Sequence, residues 1–143
     1  MPRQRTRTAP EEFAEDWELL RSLRRKDSAL SYVGRRDKRG RPVVKVTDGE
    51  TTRALPLARS LFKHSHGFEW GYAGSGPAQL ALAILYSFLN DPEKAVRYHQ
   101  KFKSMVIAGL PQEGWELPES VVREAVQHLE SEESSTVRET RDP

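Results

Sequence analysis

The sequence predicts an α+β fold: a small antiparallel three-stranded meander packed on a buried central helix, with two to three further helices. Apolar residues recur at helical spacing before residue 27 and again after residue 74. Between residues 30 and 55 the pattern changes to short β-branched and aromatic runs separated by turn residues. A chain of 143 residues has room for one domain with a core. We place that domain at residues 10–130.

A basic segment and a helix are predicted at the start of the chain. Residues 1–9 contain three arginines and nothing to bury, so a mobile basic arm is expected. Pro10 suits a first helical position, and basic residues up to Lys26 suit the helix end. The apolar stripe of this helix comprises Phe13, Trp17, Leu20 and Leu23. The stripe packs either on its own domain or in the groove of a partner.

Three short strands are predicted at residues 30–33, 42–47 and 51–55. The basic loop Gly34-Arg-Arg-Asp-Lys-Arg-Gly40 joins the first two strands, and Asp48-Gly49 is a hairpin turn signal before the third. Pro42 has no amide to donate, so it fits the start of its strand or a sheet edge.

The central helix is predicted to begin with Pro77 at its first position. Its residues 80–85 are apolar on nearly all sides, which is typical of a helix buried on most faces. Ser75 or Gly76 can cap this helix, and Gln79 lies where a capping side chain could fold back.

Two more helices and a tail complete the prediction. Asp91-Pro92 starts a helix that runs to about Ala108, with His99 on its apolar face. Residues 110–117 are expected to form a loop that places Trp115 against the core. The last helix begins at Pro118 or Ser120, with the stripe Val122, Ala125, Val126 and Leu129. Residues 131–143 have hardly any apolar side chain and are expected to form a disordered acidic tail.

Composition excludes several classes of site and of protein. There is no cysteine, which removes disulfides, thiolate catalysis and cysteine-based zinc sites. The longest apolar run, residues 80–86, is far shorter than the roughly 20 residues that span a bilayer. No membrane association and a cytoplasmic location are therefore expected. Arginine outnumbers lysine 16 to 7 and Asn90 is the single asparagine, which favours a heat-adapted source or a GC-rich genome equally.

The net charge of +2 conceals opposed blocks of charge. Residues 11–20 carry five acidic groups and no basic one, residues 21–45 have a local charge of +8, and residues 116–143 a local charge of −5. Such blocks favour protein partners with charged surfaces at least as much as nucleic acid.

No motif for catalysis, a cofactor or a metal stands out. His64 and His66 with Glu69 resemble metal ligands, but a site needs a third and usually a fourth ligand in fixed geometry. The glycine-rich stretch before Pro77 has neither the spacing of a phosphate loop nor that of a dinucleotide site, and Ser75 does not lie in a nucleophile elbow. An enzyme is therefore the class with least support, and no catalytic residue, metal or cofactor is predicted.

Two groups of residues are candidates for binding a partner. The basic hairpin provides Arg35, Arg36, Lys38, Arg39 and Arg41, and the glycine-rich segment provides Phe68, Trp70 and Tyr72. Three roles are open for the hairpin: a solvated loop, a contact for an acidic protein or a contact for nucleic acid. Two roles are open for the aromatic residues: core residues or a partly exposed anchor for a partner. Reversing Arg35, Arg36 and Arg39 to Glu should weaken binding and leave the melting temperature nearly unchanged.

The stretch Gly67-Phe-Glu-Trp-Gly-Tyr-Ala-Gly-Ser-Gly-Pro-Ala-Gln-Leu-Ala-Leu-Ala-Ile-Leu85 resembles the signature of a family of small proteins from phages, plasmids and bacteria. Tyr32-Val-Gly-Arg, Leu55-Pro-Leu and two later segments extend the resemblance over most of residues 30–117. The motif marks the family but carries no chemistry, and no functional residue is transferred by it.

Within that family, the size, composition and helical ends are similar to those of inhibitors that Thermus bacteriophages direct at host RNA polymerase. The resemblance implies a non-enzymatic phage regulator, expected as a monomer, that binds the β-subunit flap and the promoter-recognition domain of the sigma factor. It would inhibit initiation at promoters that need the −35 element. The alternative is a nucleic-acid-binding accessory protein that uses the hairpin at residues 35–41.

Overall fold

A four-stranded antiparallel sheet and four α-helices form the part of the chain that the computed structural model describes, residues 17–21, 23 and 30–141. This arrangement confirms the predicted α+β class. The predicted arm at residues 1–9 lies outside the described residues, as do Pro10, Phe13 and Lys26 of the predicted first helix.

The predicted meander forms three strands of the sheet: β1 (Ser31–Arg36), β2 (Pro42–Thr47) and β3 (Thr52–Ala54). A fourth strand, β4 (Trp115–Pro118), pairs with β1 and gives the order β3-β2-β1-β4. The prediction of a loop up to residue 117 is therefore wrong in its last part. Pro111, Gly114 and Pro118 give this segment the composition of a loop, and the alternation of buried Trp115 and Leu117 with exposed neighbours is only four residues long.

The two faces of the sheet have different surroundings. Tyr32, Val44, Val46 and Leu117 are buried on the inner face and belong to the hydrophobic core. The hydroxyl groups of Tyr32 and Ser87 lie 3.0 Å apart and join this face to the central helix. Val33, Arg35, Val43 and Lys45 alternate with the buried residues along β1 and β2 and are half-buried or exposed on the outer face.

Helix α1 (Trp17–Arg21) packs on its own domain. Trp17, Leu20 and Leu23 are buried, and the rings of Trp17 and Tyr86 meet edge to face with centroids 4.7 Å apart. The described part of the apolar stripe therefore packs on its own domain and belongs to the core.

Helix α2 (Ser75–Leu89) is the predicted central helix, and every residue from position 76 to 85 is buried. It begins two residues before Pro77, with Gly74 as its N-cap residue, and ends at Asn90 in the left-handed conformation. The apolar residues on all sides of α2 are buried because the sheet, α1 and the later helices surround it.

Helix α3 (Pro92–Met105) begins as predicted, since the Asp91 carboxylate accepts a hydrogen bond from the Lys94 amide at 3.1 Å. A 3-10 turn at Ile107–Gly109 follows it. Helix α4 (Glu119–Arg141) buries the predicted stripe of Val122, Ala125, Val126 and Leu129.

Helix α4 extends over residues 131–141 of the predicted tail, whereas residues 142–143 lie outside the described part of the chain. Glu130 accepts a hydrogen bond from Lys94 at 3.0 Å, and Glu133 accepts one from Tyr98 at 2.7 Å. Arg97 also pairs with Glu133 at 3.3 Å. The acidic residues after position 129 therefore face a basic side of α3, a match between distant segments that local composition does not reveal.

Candidate functional site

The turn between β1 and β2 is held in shape by one carboxylate. Asp37 accepts hydrogen bonds from the amides of Arg39 and Arg41, both at 2.9 Å, and from Arg41 Nε at 3.0 Å. The hydrogen bond from the backbone amide of Arg41 is the main cause of the lowered pKa of Asp37. The exposed side chains of Lys38 and Arg39 are thus carried at the tip of an ordered turn.

A shallow groove lies on the outer face of the sheet, behind this turn. In the register, Val33 lies opposite Lys45 and Arg35 lies opposite Val43, so cations and valines alternate on the surface. The groove has a volume of about 260 Å³. One nitrogen of Arg35 donates to the carbonyls of Gly34 and Trp115 at 2.8 and 2.9 Å, which anchors the exposed guanidinium.

Arg36 also lines the groove, but its guanidinium is turned to the opposite side of β1. It donates two hydrogen bonds to Glu69, at 2.9 and 3.1 Å, and its guanidinium carbon lies 4.4 Å from the centre of the Trp70 ring. The hydrogen bond to Glu69 raises the pKa of Arg36. Arg36 is therefore a structural residue, and Arg36→Glu would place two carboxylates together and lower the melting temperature, contrary to the expectation from sequence.

The three predicted aromatic contacts also separate. Trp70 is fully buried, donates to the Gln112 carbonyl at 3.1 Å and meets Trp115 edge to face at 5.5 Å. Phe68 is buried in the same core. Their assignment as surface contacts is therefore wrong, whereas Tyr72 is 48% exposed and stays a candidate.

The glycine-rich segment forms a structural corner between the sheet and α2. Gly71 has a φ of +87°, and its amide donates to the Ile107 carbonyl at 3.1 Å. A Cβ atom on Gly76 would lie 2.7 Å from Glu69 Cβ, so the chain passes too closely there for a larger residue. The sequence motif thus has a packing explanation that needs no ligand.

Residues 32–128 match the family model DUF6166, a family of unknown function. The chain belongs to the DUF6166 family. The matched range contains the corner, the β1–β2 hairpin and helices α2 and α3 of this DUF6166 protein. None of the curated proteins and none of the solved structures matches it.

The buried Gln79 of this DUF6166 protein is the centre of a group of hydrogen bonds. From the sequence, its side chain is placed where it could fold back and cap α2. Instead, Gln79 accepts from the amides of His64 and Ser65 at 2.8 and 3.0 Å, and donates to the carbonyls of Leu57 and Phe62 at 2.6 and 3.0 Å. Its four hydrogen bonds tie residues 57–65 to the central helix. The signal in the sequence was a lone polar residue inside an apolar run.

The histidines of this segment have different partners. His64 Nε2 lies 2.8 Å from His99 Nε2, whereas His66 Nδ1 lies 3.2 Å from a nitrogen of Arg59. Within the described ranges, no group of three or more histidine, aspartate or glutamate residues is placed to hold a metal ion. Within the same ranges, no helix combines the length and apolar character needed to cross a bilayer.

Proposed function

We propose that this DUF6166 protein is a non-enzymatic binding protein that docks on an acidic macromolecular surface through the outer face of its sheet. The observation that supports this proposal is the clustering of exposed cations around an aliphatic groove floor. We call this surface the docking face. It consists of Val33, Arg35, Lys38, Arg39, Arg41, Val43 and Lys45.

Charge on the docking face is available to a partner. Arg41 is paired with Asp37, but its side chain is still 67% exposed. Lys38 and Arg39 at the tip are exposed, and Arg35 and Lys45 are exposed residues that line the groove. Cations of this kind at the rim of an interface mainly steer association and select acidic partners.

An acidic protein surface suits the docking face better than nucleic acid does. The register places ten residues on the outer face, and none of them is aromatic: Ser31, Val33, Arg35, Val43, Lys45, Thr47, Thr52, Ala54, Glu116 and Pro118. Single-stranded nucleic acid is usually held by stacking on aromatic side chains. Val33 and Val43 instead offer aliphatic contact, which a protein surface can match.

Our candidate partner is host RNA polymerase, at its β-subunit flap and the promoter-recognition domain of sigma. The sequence resemblance carries this choice, and the family match names no partner. In this role the protein would act in the host cytoplasm as a phage regulator that inhibits −35-dependent initiation. Direct nucleic-acid binding by the hairpin is the second candidate, favoured by the same cluster of cations.

The test is capture from lysate of the presumed host, at moderate salt with nuclease present. The test variant is Lys38→Glu with Arg39→Glu, and the matched control is Lys63→Glu with Lys101→Glu, which reverses two exposed cations elsewhere. We expect recovery of polymerase to fall about tenfold or more for the tip variant only, because attraction becomes repulsion at the interface. The tip variant should keep the melting temperature of the parent protein, and the control should lower it only slightly, because the Lys101–Glu132 ion pair that it reverses is exposed and 3.9 Å long.

Each alternative result has a distinct meaning. If the parent protein recovers no polymerase subunit, the partner is wrong. If all partners disappear with nuclease and binding weakens steeply with salt, the function is nucleic-acid binding. If the tip variant captures polymerase as well as its control does, the docking face is not the contact.

A further inference from the structure

Two histidine rings connect residues 59–66, which we call the histidine segment, to helix α3. His64 is half-buried on the segment, and His99 is 4% exposed on α3. Their Nε2 atoms lie 2.8 Å apart, which is hydrogen-bonding distance. A hydrogen bond between two imidazole rings requires that one nitrogen carries a proton and the other does not.

The neighbouring contacts determine where the protons are. His99 Nδ1 lies 2.6 Å from the carbonyl oxygen of Val96, and a carbonyl can only accept, so Nδ1 carries the proton. His99 Nε2 is then the acceptor in the neutral ring. His64 Nε2 must be the donor, and its own Nδ1 is free of a proton.

The pair tolerates one added proton but not two. A proton on His64 Nδ1 leaves the Nε2 hydrogen bond in place and makes it charge-assisted. A proton on His99 can be accommodated if His64 changes tautomer and accepts. When both rings are charged, two N–H groups point at each other across 2.8 Å, and the contact must open.

The charged groups around the pair oppose the second proton. Burial is the main cause of the lowered pKa of both His64 and His99, and the charge of Lys103, on α3, lowers both further; the charge of His99 also lowers the pKa of His64. On the histidine segment, a nitrogen of Arg59 lies 3.2 Å from His66 Nδ1. Gln79, from α2, contacts the His64 amide and is neutral.

The exposed part of the segment is attached through the same ring. Phe62 is 51% exposed and stacks on His64 with ring centroids 4.4 Å apart. If the His64–His99 contact opens, the rings of His64 and Phe62 lose their attachment to α3, and that attachment no longer supports the hydrogen bonds from the His64 and Ser65 amides to Gln79.

We propose that His64 and His99 form a proton-operated latch, which holds the histidine segment on α3 with zero or one added proton and releases it with two. The latch is independent of the docking face and of its partner. Because opening follows proton uptake by a coupled pair, the transition belongs to the pair and not to one residue.

The test is amide hydrogen exchange by NMR on the full chain from pH 7.5 to 4.5, with EDTA in every sample and correction for intrinsic exchange. We expect protection of the His64 and Ser65 amides to fall by up to about tenfold per pH unit as the pH decreases below 6.5, the ordinary histidine value, because the open state takes up one proton more than the closed state; the fall ends once the pair has taken up its second proton. Long-range nitrogen–proton spectra at pH 7.5 should show the proton on Nδ1 of His99 and on Nε2 of His64.

His99→Gln leaves only one ring of the pair that can take up a proton, so it should abolish the pH dependence of this protection. If His99→Gln does not fold, because position 99 is buried, His64→Gln provides the same comparison. The matched control is His128→Gln, an exposed histidine on α4 that should behave as the parent protein does. The proposal is overturned if parental protection does not change with pH, or if His99→Gln and His64→Gln retain the same pH dependence.

Discussion

Gln79→Met tests whether one buried side chain holds residues 57–65 on the central helix. Methionine has a similar length and a good helix propensity, but it removes all four hydrogen bonds of Gln79. Each such bond contributes about 0.5–1.5 kcal/mol net. His64 and Ser65 are only half-buried, so water replaces part of the loss, and we expect a destabilisation of about 2–4 kcal/mol.

The assay is thermal unfolding at pH 7, followed by circular dichroism. An unfolding entropy of about 2.1 cal/mol/K per residue corresponds to about 0.3 kcal/mol/K for 143 residues. The expected loss of about 2–4 kcal/mol therefore lowers the melting temperature by about 7–13 °C. Gln100→Met is the matched control, because Gln100 is exposed on α3, and it should change the melting temperature by about 2 °C or less.

Equal melting temperatures for the two variants would refute the reasoning. A fall of only about 3 °C would instead agree with loss of a helix cap, which contributes about 1 kcal/mol. Exchange rates at the His64 and Ser65 amides separate these cases, since only the tie to Gln79 predicts that both amides lose protection.

Two further substitutions test the packing of β1 against β4 and the contact between α3 and α4. Gly34→Ala should destabilise by about 1–3 kcal/mol in urea unfolding, since its Cβ would overlap the Trp115 ring, whereas Gly67→Ala meets open space and should be neutral. Equal midpoints for the two alanine variants would contradict this packing. The hydrogen bond from Tyr98 is the main cause of the lowered pKa of Glu133, so the stabilisation is present above the ordinary value of 4.5 and is lost as the pH falls. Glu133→Gln should lower the urea midpoint at pH 6 and approach the parent protein toward pH 3; a difference that does not change with pH would show that the carboxylate is not the cause.

Much of the fold was predictable because its elements have strong local patterns. The three strands of the meander and helix α2 lie close to the predicted positions, and Asp91 caps α3 as predicted. Strand β4 was missed because four residues give little periodicity, and its pairing with β1 joins positions 80 or more residues apart. The tail after Ser131 was predicted as disordered because its composition does not show that α3 offers matching cations.

The candidate site was predictable only as a list of residue types. Charge alone grouped Arg36 with Arg35 and Arg39, but alternation along β1 turns Arg36 toward Glu69 and leaves Arg35 on the outer face. Aromatic character alone grouped Trp70 with Tyr72, although Trp70 is fully buried and Tyr72 is not. Neighbouring residues of one motif can thus have opposite environments.

The sequence by itself determined the α+β class, the buried central helix, the absence of cysteine chemistry and the concentration of basic residues at one hairpin. These properties follow from composition and from periodicity over a few residues. Only the tertiary structure decided that Gln79 ties down a loop, that His64 meets His99, and which cations face outward. Those outcomes depend on contacts between distant parts of the chain, and their geometry exists only once the core has packed.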